Sequence, residues 1–221
     1  MGSGFKSQGV HVLLKGPSPG PFVFLRDRTR EDRVMSRYTV ATDGACMRNP
    51  GPAGWAWVGE DGRWAAGSLE AGTNNIGELL AVLYAIRDHA RLAELHIQAD
   101  SMYAINTYQS WMDAHARRGW KTSTGQPTKN ADILRALIEA RDARRAANLP
   151  DVTFEHVKGH AGHRLNGWAD ERAVRASQHG DRGLGAIWST DRGLALLDVT
   201  VDAPKAGGDK PRRKRTAASD A

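Results

Sequence analysis

Three short runs rich in β-branched and aromatic residues, joined by turn signals, precede two further runs that alternate with helical periodicity. This order limits the chain to a mixed sheet covered by helices. Tyr38-Thr39-Val40-Ala41-Thr42-Asp43 reads as the first strand, and Arg48 to Gly54 as a loop dense in turn residues. Trp55-Ala56-Trp57-Val58 is the second strand, Asp61-Gly62 a hairpin turn, and Arg63 to Leu69 the return. Asn75 is suited to cap a helix whose Ile76, Leu79, Leu80, Leu83 and Ile86 follow the three-and-four spacing of one buried face. Leu95 to Asp100 alternates as a strand, and Ser101 can cap a helix running to about His115. A basic loop from Arg117 to Lys129 leads to a helix near 131–147 and a fifth strand at Val152–Val157. Lys158-Gly159-His160-Ala161-Gly162-His163 is a flexible loop, and Trp168–Gln178 the last helix.

The ends of the chain are of a different kind. Residues 1–36 mix Gly, Pro and charge without a sustained period and are expected to be a disordered extension. Residues 203–221, with Arg212-Arg213-Lys214-Arg215, read as a basic disordered tail. Between the catalytic-looking region 37–178 and that tail, 179–202 is a C-terminal segment of unspecified docking, with Leu194–Val199 as a candidate extra strand. The net charge of +6 comes from these ends: 1–36 contribute +3 and 203–221 contribute +4, leaving the middle at −1. A polyanion would therefore have to be held by local clusters of charge. Of the 221 residues only Cys46 is a cysteine, which excludes an internal disulfide framework and a Cys-rich zinc site. No run reaches the ~18 apolar residues of a membrane span, so a cytoplasmic, reducing compartment is expected.

Four acids stand at the ends of elements. Asp43 precedes Gly44 where the first strand meets its loop, Asp100 ends the fourth strand, and Glu78 and Asp170 are expected in the first turns of their helices. A lone Asp after a strand is ordinarily a turn or cap residue. Four that converge would repel one another unless a cation lay between them. Mg²⁺ suits such a site, because it takes few carboxylates and keeps waters or substrate oxygens. Periodicity alone does not show that they converge.

Further motifs follow in order: Thr42-Asp43-Gly44-Ala45-Cys46, Asn49-Pro50-Gly51-Pro52, Thr73-Asn74-Asn75 leading to Glu78, and Asp100-Ser101-Met102-Tyr103. Trp111, Arg118-Gly119-Trp120-Lys121, Lys129-Asn130 and the loop Lys158 to His163 complete the series up to Asp170. Together they closely resemble type 1 ribonuclease H over roughly residues 37–178. The resemblance implies an α/β ribonuclease H-like fold, a five-stranded mixed sheet flanked by helices. It implies an endonuclease that hydrolyses the RNA strand of RNA–DNA hybrids by two-metal-ion catalysis, leaving 5′-phosphate and 3′-hydroxyl ends. By the same resemblance Asp43, Glu78, Asp100 and Asp170 are the metal-binding carboxylates, for two Mg²⁺ ions or Mn²⁺, and His160 is a mobile catalytic histidine. Cys46, Asn49, Asn74 and Asn75 fall on the RNA side, where the 2′-hydroxyl tells RNA from DNA. Thr73 and Asn130 match a DNA phosphate pocket, and Trp111, Arg117, Arg118, Trp120 and Lys121 a basic aromatic protrusion. Turn and cap chemistry explains the asparagines equally well, a small buried role fits Cys46, and Trp120 fits the core as well as the protrusion. A monomer is the family's usual state.

The chain departs from the family pattern at His115, where many relatives have a second protrusion Trp, and at Ala71 and Met102. These departures bear on hybrid affinity rather than on the chemistry. Two rival readings are a DNA nuclease of the same fold and a non-catalytic hybrid-binding module. The Lys-Gly-His-Ala-Gly-His loop disfavours the first, and a full set of like charges placed beside phosphate disfavours the second.

Overall fold

The computed structural model describes residues 37–159, 163–180 and 187–189. The extensions expected at 1–36 and 203–221, the candidate strand at Leu194–Val199, and His160 lie outside the described residues. The strands are β1 (Tyr38–Cys46), β2 (Gly51–Gly59), β3 (Trp64–Gly72), β4 (Leu95–Ala99), β5 (Thr153–His156) and β6 (Ile187–Ser189). They form one sheet in the order β5-β4-β1-β2-β3-β6. The first three strands are antiparallel neighbours, while β1, β4 and β5 run parallel. The expected five strands are therefore present as a mixed sheet. A sixth, three-residue strand pairs antiparallel with Ala65–Gly67 of β3, nearer the last helix than the apolar run at 194–199.

Turn chemistry sets the hairpin between β2 and β3. Gly62 takes a φ of +85°, which glycine adopts without steric cost, and Asp61 accepts from the Arg63 amide at 3.1 Å. Alternation along the strands then sorts the two faces. Val40, Trp55, Trp57 and Ala65 face one core with α1 (Asn74–Asp88) and α4 (Ala131–Ala146). Ala41, Ala56, Val58 and Ala66 face α5 (Arg164–Gly180) on the other side.

Helix α1 is buried all round from Ile76 to Ile86, not along one stripe, because the sheet lies on one side of it and α4 packs on another. Each large aliphatic side chain buried there contributes about 1.5–3 kcal/mol. Its cap is Thr73, whose Oγ1 accepts from the Ile76 amide at 3.3 Å, rather than Asn75. Starting two residues earlier puts Glu78 in the second turn, not the first. The last helix likewise begins at Arg164 instead of Trp168, so Asp170 also lies in the second turn.

On its own face α5 sits close to the sheet because the contact is made of small residues. A Cβ on Gly54 would lie 2.4 Å or less from backbone atoms of Ala173 and Ser177, so the helix backbone runs directly over β2. That close seat brings the Asp170 turn to the end of β1.

Ser101 caps α2 (Met102–Asn106), accepting from the Ala104 amide at 3.3 Å. The helix widens into a π turn at Thr107–Trp111 and resumes as α3 (Met112–Arg117).

Candidate active site

Register brings three of the acids together. Thr42 of β1 pairs with Ala99 of β4, so Asp43 and Asp100 emerge side by side where β4 ends. β1 itself runs on to Cys46 along β2, so Asp43 lies within the strand and not, as the sequence suggests, where it meets its loop. Gly44 meets the backbone of α1 at Gly77 and Glu78, which carries the Glu78 carboxylate to the same point. One oxygen from each of Asp43, Glu78 and Asp100 lies within 4.8 Å of the others. Asp170 closes the group from α5, and all four acids line one cavity of about 210 Å³ together with Asn166 and Gly159.

The surroundings strain these charges. Asp43 and Glu78 are each only 5% exposed. Asp43 is pushed up to about 8, first by burial and then by Asp100 and Asp170, while the Gly44 amide, 2.7 Å from its Oδ1, works the other way. Glu78 is raised well above the ordinary carboxylate range, first by burial and then by Asp43 and Asp100. Its Oε2 is buried without a hydrogen-bond partner. Acids packed in this way, with an orphaned oxygen, fit a hard divalent cation: it would neutralise the repulsion and take up the unused lone pairs.

Two further residues complete the walls. A Cβ on Gly159 would lie 2.9 Å from Asp100 Oδ2, so the loop after β5 passes close by the carboxylate. Asn166 is 2% exposed and its Oδ1 has no partner, although it lines the acidic cavity. The sequence reading missed it. Its signal is the i, i+4 spacing to Asp170, visible only once the helix is known to start at Arg164.

The remaining candidates divide into two groups. Asn74 lines the acidic cavity, and its amide donates to Asn49 Oδ1 at 3.4 Å. Asn49, Asn74 and Asn75 are exposed, and Cys46 is half-buried with its thiol 3.7 Å from the Gly51 and Gly72 carbonyls. Thr73 is occupied as the α1 cap. Elsewhere Trp111 is 43% exposed, and Arg117, Arg118 and Lys121 are exposed around it in sequence. Trp120 is half-buried against the main core, with the Arg135 guanidinium 4.4 Å from its ring centroid, so it anchors this loop from beneath. His115 joins in that anchoring: its carbonyl accepts from the Trp120 amide at 2.9 Å, and its Nδ1 lies 3.0 Å from Thr128 Oγ1. Asn130 has a left-handed backbone (φ +58°) and donates through Nδ2 to the Tyr103 hydroxyl at 3.3 Å. His96 is buried between Thr153 and Glu155, whereas His156 is exposed with Nε2 3.2 Å from the Asp100 carbonyl.

Comparison with known proteins gives a consistent result. The family model described as RNase H matches residues 35–178. The Ribonuclease H of Brucella ovis is 40% identical over 143 residues, 63% of this chain and 88% of that protein. The Ribonuclease HI of Streptomyces coelicolor is 38% identical over 151 residues, 65% of this chain and 63% of that one. Among solved structures, LC9-RNase H1, described as a type 1 RNase H with the type 2 active-site motif, superposes with a TM-score of 0.53 at 27% identity. That superposition covers 66% of this chain and 75% of that one. A foamy viral protease-reverse transcriptase in complex with RNA/DNA hybrid shares the fold, with a TM-score of 0.55 at 17% identity, over 78% of this chain and 22% of that one.

Proposed function

The chain belongs to the RNase H family, and on that premise we propose that it hydrolyses the RNA strand of RNA–DNA hybrids as an endonuclease, leaving 5′-phosphate and 3′-hydroxyl ends. The observation that carries this reading is the meeting of Asp43, Glu78 and Asp100 from three separate elements, with Asp170 on the same cavity. Asp43, Glu78, Asp100 and Asp170 would hold two divalent ions, Mg²⁺ or alternatively Mn²⁺. Such ions, when bound, supply an acidified water and a positive clamp on the phosphoryl oxygens.

The protein's own contribution is positional. Asp43, which accepts from the Gly44 amide, is the acid that feels both Asp100 and Asp170 and also acts on Glu78. The cavity presents oxygen atoms to cations and has Asn74 at its wall; the side-chain amides of Asn49 and Asn75 are exposed close to Asn74, by hydrogen bond and in the chain respectively. Those amides, with Cys46, suit the RNA strand, because side-chain donors and acceptors can address a 2′-hydroxyl. Thr73, Asn130 and the exposed Trp111, Arg117, Arg118 and Lys121, steadied by Trp120, suit the DNA strand, where charge neutralises phosphate and an indole packs on deoxyribose. His160 is the next residue in sequence after Gly159, and its imidazole is assigned the transfer of a proton at the scissile phosphate. No helix among the described residues is long and apolar enough to cross a membrane. We place the activity in the cytoplasm, carried by a monomer.

The test is a labelled RNA–DNA hybrid incubated with the protein and Mg²⁺, with and without EDTA, beside duplex RNA and duplex DNA. The expected result is RNA cleavage confined to the hybrid and abolished by EDTA. Duplex DNA cut at least as fast as hybrid would overturn the reading in favour of a DNA nuclease.

A further inference from the structure

On the α5 face of the sheet the packing beside β3 is thin. Among the described residues that core consists of the alanines Ala56, Ala66, Ala173 and Ala176, with Trp64 half-buried at its margin. A cavity of about 260 Å³ opens there, between the start of β3 and the second half of α5. Trp64, Ala66 and Ala176 give it apolar surface, and Arg172, Arg175 and His179 also line it. The Arg172 guanidinium lies 4.9 Å from the Trp64 ring centroid, and its Nη1 donates to the Trp168 carbonyl at 3.0 Å. Its Nε, in contrast, is buried with no hydrogen-bond partner among the described residues. A buried N–H left without an acceptor is uncommon. The one acid of the lining, Glu171, is already paired with Arg175 at 2.6 Å, so the lining keeps a net positive charge.

The chain carries a segment of matching chemistry at the edge of this cavity. β6 runs along β3 toward Trp64 and ends with Ser189 opposite Ala65. Residues 190–221 follow, outside the described residues apart from that starting point. Leu194 comes five residues after Ser189, a reach of up to about 17 Å. From it runs Leu194-Ala195-Leu196-Leu197-Asp198-Val199-Thr200-Val201, large aliphatic side chains around a single carboxylate. Residues 190–202 carry Asp191, Asp198 and Asp202 against Arg192, a charge opposite to that of the lining. The apolar run Phe22–Leu25 is a poorer match: it joins the sheet only through Tyr38, on a longer tether and with β2 between β1 and β3.

We propose that residues 194–202 of this chain fold back over the cavity between β3 and α5. The aliphatic side chains of Leu194–Val201 seat on Trp64, Ala66 and Ala176, and the Asp198 carboxylate accepts from Arg172 Nε. Each partner supplies what the other lacks: a carboxylate inside an apolar run needs a buried donor, and the buried Nε needs an acceptor. The segment is then a clasp on α5, the helix that brings Asp170 to the acidic cavity. It stands whether or not the chain cleaves hybrid.

The test uses the full chain with Cys46→Ser, so that a nitroxide on Thr200→Cys is the only label, and reads paramagnetic broadening of amide resonances. The expected result is broadening at Trp64, Ala66, Arg172 and Ala176, lost when Leu196→Asp is added while the rest of the spectrum is kept. No broadening, or broadening confined to other surfaces, would overturn the proposal. So would broadening seen only when spin-labelled and isotope-labelled copies are mixed, which would give the cavity to a second molecule. Stronger broadening of the same residues from a label on Phe24→Cys would give it to the segment before β1 and equally overturn the assignment. Thermal melts test the pairing. Asp198→Asn should lower the melting temperature by about 2–4 °C, Arg172→Gln by at least as much, and the double variant no further than Arg172→Gln alone. Effects that add fully would mean that Asp198 does not reach Arg172, and the proposal would fail.

Discussion

Gly44 of β1 and Gly77 of α1 meet backbone to backbone: a Cβ added to Gly77 would lie 3.0 Å from the Gly44 Cα, and one added to Gly44 would lie 2.5 Å from the Gly77 carbonyl carbon and overlap the Glu78 amide nitrogen. This contact sets the separation of Asp43 and Glu78, since each acid is the chain neighbour of one of the two glycines.

Gly44→Ala should therefore act on the site as well as on the fold. Backbone atoms cannot turn aside as a flexible side chain can, so α1 must move off β1 and take Glu78 away from Asp43. Overpacking of this kind costs about 1–3 kcal/mol. A thermal melt with and without Mg²⁺ checks it. The variant should melt lower, and its Mg²⁺-induced rise in melting temperature should be smaller than the parent's. Equal Mg²⁺-induced shifts in the two proteins would show that the glycine contact does not set the ligand spacing.

The acids also make stability depend on pH in an unusual direction. Folding raises Asp43 to about 8 and Glu78 well above the ordinary range, so without metal the folded state holds more protons than the unfolded state between about pH 4 and pH 8. Their contribution is fully present below the unfolded pKa and is lost as pH rises through the folded one. Asp113 works oppositely: its bonds from Arg141, at 2.7 and 2.8 Å, hold it below its ordinary value, so its contribution is lost on acidification. In EDTA the melting temperature should fall by several degrees from about pH 5 to about pH 9. A divalent cation should flatten that slope, most strongly at the alkaline end, and its binding near neutrality should release protons measurable by calorimetry in two buffers. A cation effect of equal size at both ends of the range would contradict the coupling.

Much of this was legible in the chain. The order of strands follows from alternation and the hairpin residues Asp61-Gly62, and the parallel pairing of β1 with β4 explains why Asp43, within β1, and Asp100, just past the end of β4, become neighbours. Helix starts were less legible. Thr73, Asn74 and Asn75 are three consecutive cap-competent residues, and only tertiary placement selects the first. Arg164-Leu165-Asn166-Gly167 lie before the helix expected at Trp168–Gln178, yet they form its first turn: the small-residue seam of Gly54, Ala173 and Ala176 holds α5 on the sheet. The π turn has no local signature at all, since Thr107–Trp111 is compatible with an ordinary helix. Asn166 was hidden for the same reason as the start of its helix.

Asp43→Asn separates the electrostatic cost of the site from its use. The amide keeps the shape and can still accept from the Gly44 amide, but it removes the buried charge that most raises Glu78 after burial itself. In EDTA at about pH 8 the variant should melt higher than the parent, because one member of the repelling cluster is gone. The Mg²⁺-induced stabilisation should largely vanish, and hybrid cleavage should fall by at least about 10²–10³-fold. A variant that cleaves at the parental rate would show that the reaction does not use the Asp43 carboxylate; a parent protein that binds hybrid without cutting it would favour the non-catalytic binding module instead.

The exposed cations give the last expectation. Arg117 ends α3, Arg118 follows it, and Lys121 lies in a loop closed by the Trp120–Thr128 backbone bond and held down by Arg135 on the Trp120 ring; all three are exposed, so they can be changed without disturbing a core. The region 37–202 carries a net charge of −1 over its length, and a polyanion has to find its counter-charge at such clusters. Each phosphate neutralised releases counterions, which makes log affinity fall with log salt by about 0.7–0.9 per contact. Replacing all three residues by Ala should reduce that slope by about 2–3 and raise KM at physiological salt, while kcat at saturating hybrid stays close to the parent. Filter binding of a non-cleavable hybrid over a salt series checks it. A slope that does not change would mean that the loop lies away from the phosphates and that the DNA strand takes another path.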